Sequence, residues 1–404
     1  MADHGAVSFG SADAERTFPL GAAVTLEQLD QDPHPVLAAL REREPVSWLP
    51  ALGGWLVTRY DLTVHVMRDA ETFTVDDPRF STAQVVGPSM LSLDGEAHSR
   101  HRAPFAAPFR PRAVRERFAP AATDEADRLI DTFADDGAAE LRRSFAGPLA
   151  ASIMARALGL DQDEVGTMLG WYDAIVAAVT EVTAGHDLPM RGGDAFDSLR
   201  DRLEEVIAKG PEASLLGAAA WDEDLTAEQV VSNAAVLLFG GIETTEGMIA
   251  NALLLLLEHP DVLAWIAHDR TRLESVLEES LRFEPAAAVV DRYATTDVEL
   301  RDAQIAHGEL VRVSISAANR DPAVFADAER FHPMRFDGPV ARGHLAFAHG
   351  PHVCLGVHLA RLEARTGLDA LLRRLPTLTL DPSRPSRIEG LVFRKPPTLY
   401  AVWD

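Results

Sequence analysis

The pattern of apolar and polar residues predicts a mostly helical chain with short strands near both ends. A capping box at Thr226–Gln229 opens an apolar segment that stops before Pro260, which predicts a helix of about 32 residues. Because apolar residues occupy every face of this segment, the helix has to be buried. The other predicted elements are helices over 269–282 and 355–375 and strands over 53–60, 289–293, 298–300 and 310–316.

Two polar segments interrupt this pattern. Residues 1–20 carry no apolar stretch and predict a flexible N-terminal tail, so that 21–404 forms a single domain. Residues 209–224 mix Gly, Pro, Ala and acidic side chains and predict a linker. The fold class expected from these elements is mainly α with small β-sheets.

Charge and composition restrict the functions that the chain can have. The 404 residues are 47% hydrophobic and carry a formal net charge of -24, which opposes binding to nucleic acid or to an anionic membrane. The longest apolar run, Ala250–Leu257, is far shorter than the roughly 20 residues that a membrane-spanning helix needs. We therefore expect a cytoplasmic monomer that binds neither nucleic acid nor membrane.

Cys354 is the only cysteine, which excludes an internal disulfide and a zinc site built on paired cysteines. A single cysteine is most often an inert core residue. Here Cys354 stands where a helix begins, and the helix dipole stabilises a thiolate there. Gly350 and Gly356 would let a large flat ligand approach the backbone, Phe347 can pack nearby, and His352 is placed to reach an acidic group on that ligand.

The segment Phe347–Gly356 resembles the haem-binding signature of soluble bacterial cytochrome P450 enzymes. One departure is Ala348, where that family usually has glycine; a small side chain should still fit the turn. The resemblance implies a single triangular P450 domain in which haem b lies between the long central helix and the helix after Cys354. It also implies that Cys354 is the iron ligand and that dioxygen is a co-substrate.

Glu279 and Arg282 lie three residues apart on one predicted helix, where such a pair is commonly just an ion pair. The P450 resemblance implies that Arg335, in the segment Pro333–Phe336, completes a structural triad with them.

The middle of the long helix carries two glycines, Gly240 and Gly241, each of which costs about 1 kcal/mol relative to alanine. Tight packing against another helix is one explanation. The resemblance implies another, in which the helix loosens to leave room for oxygen, Thr244 hydrogen-bonds the bound oxygen and Glu243 relays protons from solvent.

His98 and Arg102 lie four residues apart and share one face of a predicted helix, which on its own is usually a solvated face. The resemblance implies that both bind the haem carboxylates, together with Arg292 and His352.

The small apolar run Ala286–Val290 predicts either a roomy pocket for a bulky apolar substrate or simple strand packing. Gln84 and Asn233 are candidate polar groups of that pocket. The residues that the resemblance places near substrate are Gln84, Asn233, Phe239, Gly240, Ala287, Val289, Val290 and Phe393.

Arginines cluster in this otherwise acidic chain, and we expect them to form a basic surface for an acidic electron donor. They are Arg100, Arg102, Arg110, Arg112, Arg115, Arg117, Arg361 and Arg365. Because the sequence contains no flavin or nicotinamide domain, the resemblance implies ferredoxin and ferredoxin reductase as electron donors.

The leading hypothesis is a monooxygenase that inserts one oxygen atom into a bulky, largely apolar small molecule by hydroxylation or epoxidation. The Ala- and Arg-rich, Lys-poor composition is typical of GC-rich bacteria, where such enzymes commonly serve secondary metabolism. One alternative is oxidative C–C or C–N coupling of aromatic natural products by the same fold. A different class of function, a non-catalytic haem-binding or sensor protein, is disfavoured by the pair Glu243 and Thr244.

Overall fold

The computed structural model describes residues 11–183, 189–210, 215–221, 224–338 and 342–404. Within them the chain is mainly helical, as the pattern of apolar residues predicts. The helices are Ser11–Thr17 (α1), Pro19–Ala22 (α2), Leu26–Gln31 (α3), His34–Arg43 (α4), Tyr60–Arg68 (α5), Ser81–Val86 (α6), Gly95–Ala106 (α7), Pro111–Asp131 (α8), Gly147–Leu158 (α9), Val165–Thr183 (α10), Met190–Ala208 (α11), Leu215–Ala220 (α12), Ala227–Glu258 (α13), Pro260–Ala267 (α14), Leu273–Phe283 (α15), Ile315–Asn319 (α16) and Val357–Arg374 (α17).

The strands are short and form one larger sheet and two small ones. They are Val46–Leu49 (β1), Gly54–Val57 (β2), Phe73–Thr74 (β3), Ala138–Glu140 (β4), Val289–Ala294 (β5), Val298–Leu300 (β6), Ala303–Ile305 (β7), Leu310–Ser314 (β8), Thr379–Leu380 (β9) and Tyr400–Val402 (β10). The five-stranded sheet has the order β1-β2-β8-β5-β3, the three-stranded sheet β4-β10-β9, and β6 pairs with β7.

The five-stranded sheet joins the two ends of the chain. β2 and β8 pair in parallel although they are separated by most of the helices, whereas the other neighbours in this sheet are antiparallel. Trp48 faces Trp55 across β1 and β2, with ring centroids 5.5 Å apart. Apolar side chains of these strands and of α5 form a core of their own beneath the sheet.

Helix α13 is the centre of the larger, helical core. Its N-terminus is the capping box that the sequence predicts: the Thr226 hydroxyl accepts the backbone N–H of Gln229, and the Gln229 side chain caps Thr226 in return. At 32 residues the helix is about 48 Å long. Helices α9, α11, α15 and α17 pack against it, and their buried side chains form one continuous apolar cluster with those of α13.

The predicted tail over 1–20 is wrong in its second half. Residues 11–17 form α1, and Phe18 is buried in the core beneath the five-stranded sheet. The Phe18 ring meets the Trp55 ring edge-on, with centroids 5.3 Å apart. Ala14 packs against the same core and the Leu20 N–H donates to the Glu44 carboxylate, so several contacts anchor this segment. Residues 1–10 lie outside the described residues.

The predicted linker over 209–224 is also wrong where it is described. Leu215–Ala220 forms α12, whose residues Leu215 and Leu216 are buried against the helical core. Residues 211–214 and 222–223 lie outside the described residues.

Among the described residues, no single helix is long and apolar enough to cross a membrane. Helices α13 and α14 pass that test of length and composition only as a pair, and they are bent by 99° at the break between them.

Candidate active site

Cys354 lies between a 3-10 turn, Gly350–His352, and the start of α17. Its N–H donates to the carbonyl of Phe347 at 2.9 Å, which closes the loop around the half-buried thiol. The guanidinium of Arg361, on α17, stacks over the Phe347 ring at 4.6 Å and supports the same loop.

Two opposing effects act on the thiol of Cys354. Burial raises its pKa, whereas the backbone N–H of Gly356 and the guanidinium groups of Arg102 and Arg361 act to lower it. Burial has the larger effect and raises the pKa overall, while the N–H and the two cations partly offset it and support the thiolate, the form of cysteine that binds a metal.

The structure gives a reason of its own for Gly350, whereas the reason predicted for Gly356 stays a prediction. Gly350 has a φ of 75°, and a Cβ there would lie 2.6 Å from the carbonyl oxygen of Met67. It therefore lets the loop approach α5 closely. A Cβ on Gly356 would meet nothing within 4 Å.

Ala348 occupies a left-handed conformation, with a φ of 60°. This conformation is unfavourable for a residue with a Cβ and costs roughly 1–2 kcal/mol. The methyl group fits the space, as expected, but the backbone is strained at the position where the P450 signature usually has glycine.

The structure brings Glu279, Arg282 and Arg335 together. Arg282 forms two hydrogen bonds of 2.8 Å with the carboxylate of Glu279, and both side chains are fully buried. Nε of Arg335 lies 3.3 Å from Glu279 Oε2. Arg282 also donates to three backbone carbonyls, those of Asn319, Ala328 and Arg330. These contacts tie α15 to the irregular segment that precedes the cysteine loop.

A second group of polar residues gathers beside the cysteine loop. His98 on α7 is buried, and its ring lies 4.4 Å from the ring of His352. Burial and the nearby His352 and Arg102 lower the pKa of His98 to about 4. Its Nε2 atom is buried and has no hydrogen-bond partner in the described part of the chain. Arg102, one turn further along α7, donates to the carbonyl of Val353 at 2.7 Å.

Asp94, which we did not predict as a site residue, organises this group. Its carboxylate accepts hydrogen bonds from His352 at 2.7 Å, from the Thr74 hydroxyl at 2.7 Å and from the Val75 N–H at 2.8 Å. Burial opposes ionisation of Asp94, but these bonds outweigh it and lower the pKa to about 2. Its position at the N-terminus of α7 was the available signal.

Arg292 on β5 completes the group. The residue is 4% exposed, and burial lowers the pKa of its guanidinium while Asp94 and Asp291 act to raise it. Its one hydrogen bond in the described structure goes to the carbonyl of Asp291. Buried guanidinium groups normally have several partners, so most of its donors remain available for an anion.

The central helix has one face that is not buried. Between 230 and 256 the half-buried residues are Leu237, Gly240, Gly241 and Thr244, and the others are buried. Their spacing of three and four residues places all four on one side of the helix. A helix enclosed by protein shows such a stripe where it borders an internal space.

The two helix glycines turn out to support both explanations, one each. A Cβ on Gly241 would lie 2.4 Å from the sulfur of Met154 on α9, so this glycine permits tight helix packing. A Cβ on Gly240 would meet nothing within 4 Å. Gly240 therefore leaves open space one turn before Thr244, whose hydroxyl donates to the Gly240 carbonyl at 2.6 Å.

Several of the predicted pocket residues lie together. Phe239 and Phe393 meet edge-on with centroids 5.5 Å apart, and Phe393 pairs with Ala287 through a backbone bridge. Val289 and Val290 follow at the start of β5, both half-buried. Val290 packs against the core beneath the five-stranded sheet, so strand packing accounts for this residue, whereas Phe239, Phe393 and Ala287 stay candidates for an apolar pocket wall.

The two predicted polar groups of the pocket have other positions. Asn233 is fully buried: its amide nitrogen contacts His101 Nδ1 and the Gln229 carbonyl, and its oxygen accepts the Met90 N–H. These bonds join α7 and the preceding loop to α13, so Asn233 does not serve as a polar handle for substrate. Gln84 lies exposed on α6.

The polar group beside the cysteine loop fits haem b. Haem carries two carboxylates, and the buried Nε2 of His98 and the guanidinium of Arg292 lack acceptors that such carboxylates supply. A cysteine thiol supported by an N–H and two cations suits an iron ligand. The residues that would hold the group are thus Cys354, His98, Arg102, Arg292 and His352.

Comparison with known proteins gives a consistent family. The sequence model of cytochrome P450 matches residues 213–402. The cytochrome P450 monooxygenase PikC of Streptomyces venezuelae is 35% identical over 371 residues, which cover 87% of this chain and 86% of PikC. The mycinamicin IV hydroxylase/epoxidase of Micromonospora griseorubida is 34% identical, and the match covers 90% of this chain and 94% of that enzyme.

A solved structure agrees with these relatives. The crystal structure of P450BioI in complex with an acyl carrier protein ligated to hexadec-9Z-enoic acid superposes with a TM-score of 0.83 at 28% identity. The match covers 94% of this chain and all of that one.

The strain at Ala348 predicts that Ala348→Gly stabilises the protein. Glycine relieves the left-handed conformation but loosens the unfolded chain, and we expect a net gain of about 0.5–1 kcal/mol in the free energy of unfolding. Denaturant titration of the holoenzyme measures it. Ala346→Gly, two residues away and without a positive φ, is the matched control. Its free energy of unfolding should fall by about 0.5–1 kcal/mol. A loss of stability in Ala348→Gly would contradict the prediction.

Proposed function

The chain belongs to the cytochrome P450 family, and we propose that it is a ferredoxin-dependent monooxygenase acting on a bulky, largely apolar small molecule. Family membership makes it an oxidoreductase with haem b as cofactor and dioxygen as co-substrate. The observation that carries the proposal is the half-buried stripe of α13, in which Gly240 leaves open space and Thr244 presents a hydroxyl next to the buried Glu243.

Bound haem supplies the centre that reduces dioxygen, with the thiolate of Cys354 as its ligand. In the overall reaction one oxygen atom enters a C–H bond or a C=C bond of the substrate. The other leaves as water, which consumes two electrons and two protons. The two protons have to reach an interior site, and ferredoxin is the proposed source of the electrons.

The protein's part in this chemistry is the delivery of protons. The Thr244 hydroxyl is oriented by its bond to the Gly240 carbonyl, so its oxygen remains able to accept a hydrogen bond from a donor in the open space. Glu243, the residue before Thr244, provides a carboxylate that exchanges protons. An acid beside an alcohol serves a reaction that takes up protons, whereas a haem-binding sensor has no need of the pair.

Apolar side chains support a bulky apolar substrate. Phe239, Phe393, Ala287 and Val289 offer aromatic and aliphatic surface, and three of the four come from chain segments other than α13. A wall of this kind binds by burial of apolar area. PikC is a monooxygenase and the relative from Micromonospora hydroxylates or epoxidises mycinamicin IV, which supports a secondary metabolite as the substrate here.

Exposed arginines near the cysteine loop support an acidic electron donor. Arg110, Arg112 and Arg115 are exposed around the start of α8, which packs along α17. Burial and the nearby Arg361 and Arg115 lower the pKa of His358, so Arg115 lies close to the first turn of α17. Val353, beside Cys354, is 42% exposed and gives this surface an apolar centre. Such a surface fits a small acidic protein such as ferredoxin.

The haem ligand is tested by the absorption spectrum of the reduced protein under carbon monoxide. We expect the strongly red-shifted Soret band that a thiolate ligand produces, and its loss in Cys354→Ser, because an alcohol is a much weaker donor than a thiolate. Val353→Ser, a serine at the neighbouring position, is the control and should keep the band. A Cys354→Ser protein with an unchanged band would overturn the assignment.

Monooxygenase activity is distinguished from mere haem binding by Thr244→Ala. With NADPH, ferredoxin and ferredoxin reductase, the wild type should consume dioxygen, and the variant should release a several-fold larger share of it as hydrogen peroxide because protonation fails. Thr245→Ala, a buried neighbour outside the half-buried stripe, is the matched control. A wild type that consumes no dioxygen with this system, in the presence of mycinamicin IV or without it, would contradict the proposed function.

The donor surface predicts a salt-dependent effect of charge reversal. Arg110→Glu with Arg115→Glu should slow reduction by ferredoxin at low salt by roughly tenfold or more, and the difference from wild type should shrink at high salt. Stopped-flow reduction under carbon monoxide measures both rates. The control is Arg191→Glu on α11, a helix that packs against α10 and α13. Equal rates for the double variant and wild type at low salt would rule out this surface.

A further inference from the structure

Two buried acids share one cation behind the half-buried face of α13. Glu243 and Glu246 lie one turn apart on this helix and are 4% and 1% exposed. Nζ of Lys395 lies 2.8 Å from Glu243 Oε1 and 2.5 Å from Glu246 Oε2. The chain has lysine at only two positions, 209 and 395, so this amine stands out in a protein whose cations are almost all arginines.

The backbone of Lys395 is held firmly in place. Its N–H and carbonyl pair with those of Glu389 across a hairpin. The side-chain amide of Asn251, on α13, donates to the carbonyl of Arg394, the preceding residue, at 2.9 Å. Gly247 lies between the two acids and this hairpin, and a Cβ there would come within 3.6 Å of Lys395 Cβ. The position of the ammonium group is therefore set by the fold.

A series of ion pairs extends from Lys395 through Glu246 towards the surface. Glu246 Oε1 also lies 3.1 Å from Arg142 Nε and 4.0 Å from Arg143 Nη1. Both arginines belong to a π-helical turn, Arg142–Ala146, a type of turn that is frequent at functional sites. The side chain of Arg143 is 48% exposed. A chain of charged groups thus runs from solvent through Glu246 and Lys395 to Glu243.

An acid in this position needs a cation. A buried carboxylate without a partner takes up a proton and becomes neutral, and two carboxylates side by side do so more readily. An acid that relays protons has to release one and then take up another, so both its neutral and its ionised form have to be accessible. Lys395 offsets both effects, because one ammonium serves both carboxylates.

We propose, on the basis of the monooxygenase function proposed above, that Lys395 is a positioning residue for proton delivery. It fixes the carboxylate of Glu243, the residue that precedes Thr244 on α13, and joins it through Glu246 to the solvent-exposed Arg143. Lys395 acts through Glu243 and does not itself touch substrate or cofactor.

The pairing is tested without turnover by competitive labelling of amines. Trace acetic anhydride and mass spectrometry compare acetylation of Lys395 with that of Lys209, which is exposed on the same chain. In the wild-type holoenzyme Lys395 should react at least about tenfold more slowly than Lys209, and Glu243→Gln should bring the two rates closer by releasing the amine. Equal rates in the wild type, or a Lys395 rate that Glu243→Gln leaves unchanged, would overturn the proposal.

Its role in catalysis is tested by Lys395→Met, Lys395→Arg and Lys209→Met. With NADPH, ferredoxin and ferredoxin reductase, Lys395→Met should slow dioxygen consumption several-fold and raise its solvent deuterium isotope effect, because proton transfer becomes slower. Lys395→Arg, which keeps the positive charge, should stay close to the wild type in both the rate of dioxygen consumption and its isotope effect. Lys209→Met should match the wild type. In a Glu243→Gln background, Lys395→Met should have little further effect, since it acts through that acid.

The outcomes separate this proposal from the function on which it rests. If the wild type lacks the red-shifted carbon monoxide band or consumes no dioxygen, the proposed function fails, whereas the labelling ratio still reports the pairing. If the wild type turns over and Lys395→Met matches it, the positioning role fails. It also fails if Lys395→Met alone loses the band, or if its effect is undiminished in the Glu243→Gln background, because Lys395 would then be a purely structural residue.

Discussion

The burial of one long helix is the constraint on which the rest of this structure depends. Helix α13 carries apolar side chains on every face, so protein has to enclose it, and α9, α11, α15 and α17 do so. An enclosed helix can border an internal space only where its own side chains are small. Gly240 provides that space and Gly241, facing Met154, keeps the neighbouring helix close. The position of the reactive site along the chain follows from these two adjacent residues.

Enclosure also determines how charges are handled. Buried ions need partners, and most of those in this protein have them. Glu284, for example, is buried, yet His34, Arg320 and Arg394 hold its pKa at about 2. The fully buried Glu279 and Arg282 satisfy each other. Against this background two groups are exceptions among the described residues: His98 Nε2 has no hydrogen-bond partner and Arg292 has one. A ligand with two carboxylates would account for both.

Local signals in the sequence were enough to predict most of the helices and strands, but they did not predict the tertiary contacts between them. The capping box and Pro260 define α13 to the residue, and β6 runs over the predicted 298–300. The tail and the linker were misassigned because burial of Phe18 and Leu216 depends on surfaces supplied by distant segments. From the sequence alone, Asn233 is a candidate polar group for substrate. In the fold its amide nitrogen instead contacts His101, which is 132 residues away in sequence.

The same reasoning explains which site residues were found. Cys354, Thr244 and Glu279 belong to compact motifs in which neighbours along the chain carry the signal. Lys395 is 149 residues from Glu246, and nothing around it in the sequence marks it as a partner of the helix.

The contacts that hold the cysteine loop and those that hold the proposed pocket wall differ in how much sequence change they tolerate. The cysteine loop is held by backbone hydrogen bonds, by a glycine against the Met67 carbonyl and by buried ion pairs, and few substitutions preserve such geometry. The pocket wall is held by apolar contacts such as Phe239 with Phe393, where a change of size costs stability but keeps the fold. Relatives at about 35% identity can therefore share the haem chemistry while their substrates differ. The shape of the pocket wall, rather than the residues around Cys354, has to determine which molecule this enzyme oxidises.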